Sequence, residues 1–136
     1  MKKVYAVIDT NVLVASMLTK NQDSATLQLI NALYEHAFTT LYNNDILKEY
    51  YEVLSREKFG FAPNVVKGLI DIVRDNGVHA DRIPSGESFP DPTDAVFYEV
   101  ALSKVGAFVV TGNARHSPNK PIVVTPAELL EILYNN

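Results

Sequence analysis

The sequence contains no cysteine, only three histidines and no glycine-rich phosphate-binding loop, and each absence removes a class of site. Without cysteine, the chain has no disulfide, no thiolate zinc site, no iron–sulfur cluster and no cysteine nucleophile. The histidines (His36, His79 and His116) lie far apart with no pair at helical spacing, which argues against a histidine-dominated metal site. Neither GxxxxGK[ST] nor GxGxxG occurs. Any metal would therefore bind to oxygen ligands.

Long apolar runs are also missing. Lys2 and Lys3 precede the apolar run 4–8 as in a signal peptide, but Asp9 interrupts that run too early. No other run approaches the roughly 20 apolar residues that cross a bilayer. We therefore expect a soluble, cytoplasmic protein without membrane association.

Basic residues are not in excess, since 12 lysines and arginines face 16 acidic residues for a formal net charge of −4. This balance argues against the broad basic surface with which proteins bind nucleic acid non-specifically. A metal ion that bridges carboxylates to a phosphate can still hold such a substrate locally. The length of 136 residues and the 47% hydrophobic content predict a single domain, 1–136, with a well-formed core.

Strand-like and helix-like segments alternate along the chain. Strands are predicted at 4–8, 38–41, 78–83, 107–111 and 122–124. Helices are predicted at 11–18, 25–33, 46–54, 63–75, 92–105 and 129–134, the fifth capped by Asp91 and the last preceded by a capping box at 125–128. The longest loop is 84–92. The alternation predicts βαβ units and a parallel sheet with helices on both faces, in which 4–8 is a central strand.

Four polar residues are expected near the carboxyl edge of this sheet, where ligand crevices form. Asp9 ends the first strand, Asn113 follows a late strand, Asp94 opens a late helix, and Glu49 lies in the helix 46–54. Clustered carboxylates repel one another, and no lysine or arginine stands beside Asp9 or Asp94 in the sequence. A divalent cation is the economical counter-ion, and hard oxygen ligands suit Mg²⁺ or Mn²⁺.

Each of these positions also has a purely structural explanation. Asp9 suits an Asx turn or a helix cap, and Asp94 suits the positive end of a helix dipole. Most helix glutamates are solvated, so Glu49 has no advantage on its own over Glu52 or Asp45. The asparagine after the late strand suits a turn. Only the joint placement of the acids favours a functional site.

Four short motifs carry these residues in a fixed order. They are Asp9-Thr10-Asn11 after an apolar strand, Glu49 after Ile46-Leu47, Asp91-Pro92-Thr93-Asp94 with Phe97 and Ala101 downstream, and Val110-Thr111-Gly112-Asn113 before Thr125-Pro126. Together they resemble the PIN domain family, and most closely its small prokaryotic members described as toxins of toxin–antitoxin pairs. The resemblance covers nearly the whole chain. It implies a three-layer α/β/α sandwich with a central parallel sheet and a Mg²⁺- or Mn²⁺-dependent ribonuclease that cuts single-stranded RNA.

The resemblance also implies roles for individual residues. Asp9 and Asp94 correspond to the main metal ligands, and Glu49 to a ligand or to a residue that orients water. The fourth position is often aspartate in the family and is Asn113 here, which keeps an oxygen ligand but lacks the charge that favours a second metal. Asp91 could compensate for that missing charge. The residues expected to orient carboxylates, contact phosphate or supply positive charge are Thr10, Asn11, Thr111, Arg115 and His116.

A small antitoxin protein is the partner that the resemblance implies, and a homodimer is the alternative assembly. Some of the apolar and aromatic residues Tyr50, Tyr51, Leu54, Phe59 and Phe61 are expected to form the contact surface, and the alternative is that all of them pack internally.

Two other functions stay open. One is a catalytically weak PIN-fold module that binds RNA or protein, which Asn113 and the acidic charge favour. The other is an aspartyl-phosphate phosphatase with Asp9 as nucleophile, although that motif has an aspartate where this chain has Asn11.

Overall fold

Five parallel strands form one sheet. The computed structural model describes residues 3–112 and 120–135. The strands are β1 Tyr5–Ile8, β2 Thr39–Tyr42, β3 Val78–His79, β4 Phe108–Val110 and β5 Val123–Val124. They lie in the order β3-β2-β1-β4-β5, and every neighbouring pair is parallel. The central position predicted for the first strand is confirmed.

Within the described residues, six α-helices flank this sheet. They are α1 Thr10–Leu18, α2 Ala25–Tyr34, α3 Asn44–Leu54, α4 Pro63–Asp75, α5 Asp94–Ala101 and α6 Pro126–Tyr134, with one turn of 3-10 helix at Glu57–Phe59. The predicted α/β/α sandwich around a central parallel sheet is therefore confirmed. No helix in these described ranges is both long enough and apolar enough to cross a membrane.

The path of the chain across the sheet reverses between β1 and β4. From β1 the chain proceeds through β2 to β3 on one side, and then returns to place β4 and β5 on the other side. Ile8 pairs with Val110 in the β1–β4 ladder, and the backbone N–H of Asp9 donates to the Val110 carbonyl at 2.9 Å. A ligand crevice in such sheets lies outside the carboxyl ends of the strands at this reversal. Asp9 and Thr111, which follow β1 and β4, stand at its edge.

The start of α6 follows directly from its sequence. The Thr125 hydroxyl accepts a hydrogen bond from the Glu128 backbone N–H at 3.1 Å, and the Glu128 carboxylate accepts one from the Thr125 backbone N–H at 2.8 Å. The predicted capping box is confirmed. The helix begins at Pro126, directly after the cap, so the proline of the capping box occupies the first helical position as expected, three residues before the apolar segment 129–134.

The helix predicted at 92–105 is shorter than expected at both ends, and its predicted cap is wrong. The Asp91 carboxylate accepts hydrogen bonds from the Thr93 backbone N–H at 3.0 Å and from its hydroxyl at 2.8 Å, so residues 91–93 form a turn and Thr93 is the N-cap. At the other end the Ser103 hydroxyl donates to the Val100 carbonyl at 2.6 Å, which closes the helix early. Gly106 then adopts a left-handed φ of 84° that turns the chain into β4.

The strand predicted at 78–83 ends at His79. The partner strand β2 itself ends at Tyr42, whose carbonyl accepts the Ala80 backbone N–H at 2.8 Å. Beyond that point the chain turns towards α5, where the Ile83 backbone N–H donates to the Glu99 carbonyl at 3.0 Å. The long loop predicted before α5 therefore extends from residue 80 to residue 93.

Candidate active site

Asp9 is a buried carboxylate at the junction of β1 and α1, with only 7% of its surface exposed. It is the N-cap of α1: its Oδ1 accepts the Asn11 backbone N–H at 3.2 Å. Its Oδ2 accepts a hydrogen bond from the Thr111 hydroxyl at 2.8 Å. Burial raises the pKa of Asp9 above its ordinary value, while both hydrogen bonds oppose this and the charge of Asp91 adds to it. Asp9 therefore caps α1 and also lies at the crevice.

Glu49 is half-buried on α3 and is linked to Asp9 through the next residue in the chain. The hydroxyl of the buried Thr10 donates a hydrogen bond to Glu49 Oε2. Burial is the largest effect on the pKa of Glu49 and raises it, and the negative charges of Asp9 and Asp91 raise it further. The hydrogen bond from Thr10 and the positive charge of Arg56 lower the pKa of Glu49. The other candidates on this helix, Asp45 and Glu52, are both exposed. Glu49 is thus the helix acid that shares an electrostatic environment with Asp9.

Tyr50 fixes α3 against the end of β1. The ring is fully buried and packs against Phe97 of α5, with ring centroids 6.4 Å apart and an interplanar angle of 26°. Its hydroxyl donates to the carbonyl of Ile8, the residue before Asp9. Burial raises the pKa of Tyr50 well above its ordinary value, so the hydroxyl keeps its proton. Tyr50 therefore connects α3 to the end of β1 and to α5.

Asp94 and Asp91 approach the crevice from the start of α5 and from the loop before it. Asp94 is half-buried in the first turn of the helix, whereas the Asp91 side chain is exposed. The Thr93 backbone N–H and hydroxyl lower the pKa of Asp91, so Asp91 carries a negative charge at neutral pH. The sequence favoured a capping role for Asp91, but its charge acts on both Asp9 and Glu49.

A cavity of about 230 Å³ lies at this crevice. It is lined by Asp9, Asn11, Phe89, Pro90, Asp91, Asp94, Phe97, Tyr98, Val109, Thr111 and Val123. Glu49 instead lines a neighbouring cavity of about 180 Å³ together with Asp45, Ile46, Thr93, Val96 and Phe97. Phe97 belongs to both walls and lies between them. The structure thus brings Asp9 and Asp94 to one cavity and places Glu49 at its neighbour.

Three of the residues selected from the sequence fall in the segment between the two described ranges. Asn113, Arg115 and His116 lie outside the described residues. Their assigned roles stay predictions.

The donors around the larger cavity suit a hard divalent cation in an open site. Within residues 3–112 and 120–135, no three acidic or histidine side chains lie close enough together to hold a metal ion by themselves. Mg²⁺ usually needs only one or two carboxylates and completes its shell with water and substrate phosphates. Among the described residues, neither Asp9 nor Asp91 forms an ion pair with a lysine or arginine. A buried carboxylate without a cationic partner fits Mg²⁺ or Mn²⁺ at Asp9.

Two aromatic residues of the main cavity were not predicted from the sequence. Phe89 and Tyr98 line the main cavity, which only the path of the loop before α5 reveals. Of the five residues considered for a contact surface, Tyr50 and Leu54 are fully buried in the core, as the alternative of internal packing predicts. Tyr51 is 62% exposed and is the main part of that surface that is available to a partner.

Comparison with known protein families identifies the family of this chain. No curated protein and no solved structure is significantly similar to this chain. The family model of the PIN domain matches residues 5–115, a span that begins with β1 and includes Asp9, Glu49, Asp91 and Asp94. The chain therefore belongs to the PIN domain family.

Proposed function

We propose that this protein is a Mg²⁺- or Mn²⁺-dependent endoribonuclease that hydrolyses phosphodiester bonds of single-stranded RNA. PIN domains are generally nucleases and typically depend on a divalent metal, which supports a hydrolase of this kind. The observation that carries the proposal is the buried carboxylate of Asp9 at the reversal of the sheet, which forms no ion pair with a lysine or arginine in the described part of the chain. It lines one cavity with Asp91 and Asp94 and lies beside Glu49.

Different side chains would bind the cation and accept the proton. Asp9 and Asp94 would hold the cation, and the Thr111 hydroxyl and the Asn11 backbone N–H fix the orientation of Asp9. When bound, the cation supplies positive charge for the phosphate oxygens in the transition state and makes water more acidic. Glu49 would orient the attacking water, and its raised pKa favours transfer of a proton to it.

The biological assignment is a second part of the proposal. We propose that the protein is the toxin of a toxin–antitoxin pair, with a small antitoxin protein as its partner and a homodimer as the alternative assembly. The likeness to small prokaryotic PIN proteins supports it, and exposed Tyr51 is available for a contact. Co-expression with the product of a neighbouring small open reading frame, followed by light scattering, tests it. A protein that stays monomeric with and without that product would contradict both assemblies.

The nuclease proposal is tested by combining metal binding with cleavage. Titration of Mn²⁺ into wild type, Asp9→Asn and Asp94→Asn should give heat for the wild type and much weaker binding for both variants. Asp23→Asn changes the same charge at an exposed position away from both cavities and serves as the control. Single-stranded RNA should be cut by the wild type and by the control only.

The alternative of a catalytically weak PIN-fold module has its own support. Among the described residues, no three acidic or histidine side chains lie close enough together to hold a metal ion. In addition, Asn113 stands at the fourth position, where the family often has an aspartate. RNA binding without cleavage, unchanged by Asp9→Asn, would favour this module. Transfer of a phosphoryl group to Asp9 from a small phosphate ester would instead favour the aspartyl-phosphate phosphatase.

A further inference from the structure

An aromatic pair lines the main cavity together with the acids. Phe89 comes from the loop before α5 and Tyr98 from α5 itself, and both rings line the same cavity as Asp9 and Asp94. Their centroids are 5.5 Å apart, and the ring planes are tilted by 54°. Because of this tilt, the two rings cover each other only in part. Both residues line the cavity and are only half-buried, so part of their surface remains available to it.

Lys120 adds a cation to this aromatic pair. Its Nζ lies 5.7 Å from the centroid of Phe89 and 5.8 Å from that of Tyr98. The same Nζ forms an ion pair with Glu87 at 3.0 Å, and only 18% of the lysine side chain is exposed. Packing against two rings and an ion pair hold this ammonium beside the cavity. It is a fixed positive charge at a site otherwise rich in carboxylates.

We propose that Phe89, Tyr98 and Lys120 form a nucleobase-binding subsite for the nucleotide next to the scissile phosphate. The base would stack on the aromatic pair, and Lys120 would contact the backbone of the same strand. This proposal rests on the proposed ribonuclease function and adds how the RNA is held. Unpaired bases bind to proteins chiefly by stacking on aromatic side chains, next to cationic groups that track the phosphates.

The subsite also explains how an acidic site accepts an anionic strand. Asp9, Asp91 and Asp94 repel phosphate unless a cation is bound, so the strand needs a second attachment point. Stacking supplies one that does not depend on charge, and it requires a base that is free of a duplex. In the free protein Glu87 neutralises Lys120; on binding, the phosphate would compete with Glu87 for the ammonium group.

A single-tryptophan reporter tests the stacking directly, because the chain contains no tryptophan. In Phe89→Trp, single-stranded RNA should quench the indole fluorescence, whereas the same strand with abasic sites should quench it little. Tyr134→Trp, on the exposed end of α6, serves as the control and should not respond to either strand. Binding is measured in Ca²⁺ and in EDTA, so the readout does not depend on cleavage.

Affinity measurements on the same strands complete the test. Phe89→Ala and Tyr98→Ala should each weaken binding roughly 5- to 150-fold, the range for loss of one stacked base, while Phe89→Trp should retain affinity. Circular dichroism and thermal melting check that the alanine variants are folded. Equal quenching by normal and abasic strands, with unchanged affinity in the folded alanine variants, would overturn the subsite.

Substitutions of the two partners in the ion pair between Lys120 and Glu87 should change RNA affinity in opposite directions. Lys120→Gln should weaken binding and reduce the slope of log affinity against log salt by about 0.7, the value for one phosphate contact on a single strand. Glu87→Gln should strengthen binding because it frees the ammonium group. Glu35→Gln makes the same change in net charge away from the cavity and is the control. If both glutamate variants change affinity equally, Lys120 has no specific contact.

Failure of the subsite and failure of the ribonuclease function give different results. If wild type cuts single-stranded RNA but the aromatic and lysine variants bind it normally, only the subsite is wrong. If wild type neither binds nor cuts any single-stranded RNA, in Ca²⁺, Mn²⁺ or EDTA, both proposals are overturned.

Discussion

Thr111 donates a hydrogen bond to Asp9 at 2.8 Å, joining two residues that are 102 positions apart in the sequence. The contact lies where β4 and β1 end side by side, and it occupies one oxygen of a buried carboxylate. Burial disfavours the ionised form of Asp9, whereas this donor favours it. The Thr111 hydroxyl therefore lowers the pH at which Asp9 ionises.

Replacing this donor should shift metal binding to higher pH. Thr111→Val removes a hydrogen bond that lowers the pKa of Asp9, so the pKa rises further. The midpoint of Mn²⁺ binding against pH should move upwards, and affinity at a fixed pH near the midpoint should fall roughly 10- to 100-fold. Calorimetric titration at several pH values measures both quantities. Thr111→Ser keeps the hydroxyl and should behave like wild type; a valine variant with an unchanged midpoint would contradict this role.

Removing the charge of Asp9 should stabilise the metal-free protein at neutral pH. Burial raises the pKa of Asp9 above 3.8, so the folded state binds this proton more tightly than the unfolded state. The resulting stability is complete below the unfolded pKa and is lost as pH rises through the folded pKa. Asp9→Asn cannot ionise, and its amide oxygen can still accept the Asn11 backbone N–H. Its Tm should therefore exceed that of wild type at pH 7, with a gain that disappears below about pH 3.8.

Melting curves of the same two proteins with added Mn²⁺ provide a control for metal binding. Mn²⁺ stabilises whichever folded protein binds it, so it should raise the Tm of wild type more than that of Asp9→Asn. A lower Tm for the variant at pH 7 in EDTA would show that the cap contact outweighs the cost of the buried charge.

The position of Asp9 was predictable from the sequence, because a short apolar strand followed by an acid places that acid at the edge of a parallel sheet. Helical spacing likewise allowed Glu49 to face the sheet. The choice of Glu49 over Asp45 and Glu52 was not settled by local pattern. It depends on Thr10, whose hydroxyl reaches Glu49 only after α1 and α3 have packed together.

Tertiary contacts also explain the errors. Tyr50 was a candidate for a partner surface, with internal packing as the alternative; the Ile8 carbonyl accepts a hydrogen bond from its hydroxyl and Phe97 packs against its ring, which allows full burial. Asp91 was predicted as a helix cap, but its carboxylate binds Thr93 within a turn instead. The aromatic wall of the cavity was missed because Phe89 reaches it from a loop with no periodic pattern.

The contact between Thr10 and Glu49 should matter for activity more than for folding. Thr10→Val keeps the shape of the side chain but removes the hydrogen bond to Glu49. Loss of such an orienting partner typically costs 10- to 100-fold, so we expect roughly that decrease in kcat with a smaller change in KM. Steady-state cleavage of single-stranded RNA measures the effect. Thr10→Ser should retain most of the activity, and equal losses in both variants would argue for a packing role.

Tyr50→Phe should destabilise the fold by about 1 kcal/mol, because it removes one buried hydrogen bond. The ring and its contact with Phe97 are kept, so the effect reports on the hydroxyl and its bond to the Ile8 carbonyl. Urea denaturation measures the free energy of unfolding. Tyr51→Phe, at the neighbouring position with a 62% exposed side chain, should be nearly neutral. Equal effects of the two substitutions would contradict a specific anchor at Tyr50.

Asp91 should act on the site through its charge, and a substitution can separate this charge from the turn. The negative charge of Asp91 raises the pKa of both Asp9 and Glu49. Asp91→Asn removes the charge but keeps an oxygen that can accept both hydrogen bonds from Thr93. The two acids should then ionise at lower pH, so the acidic limb of the rate profile moves to lower pH.

Cleavage of single-stranded RNA in saturating Mn²⁺ between about pH 3 and 8 measures this shift, a range that spans the ordinary carboxylate and histidine pKa values. Asp81→Asn, exposed at the start of the same loop and outside the cavity lining, is the matched control and should leave the profile unchanged. If Asp91→Asn instead abolishes Mn²⁺ binding at every pH, Asp91 is itself a ligand and supplies the charge that Asn113 lacks. If Asp91→Asn leaves both the profile and the affinity unchanged, its carboxylate serves only the turn before α5.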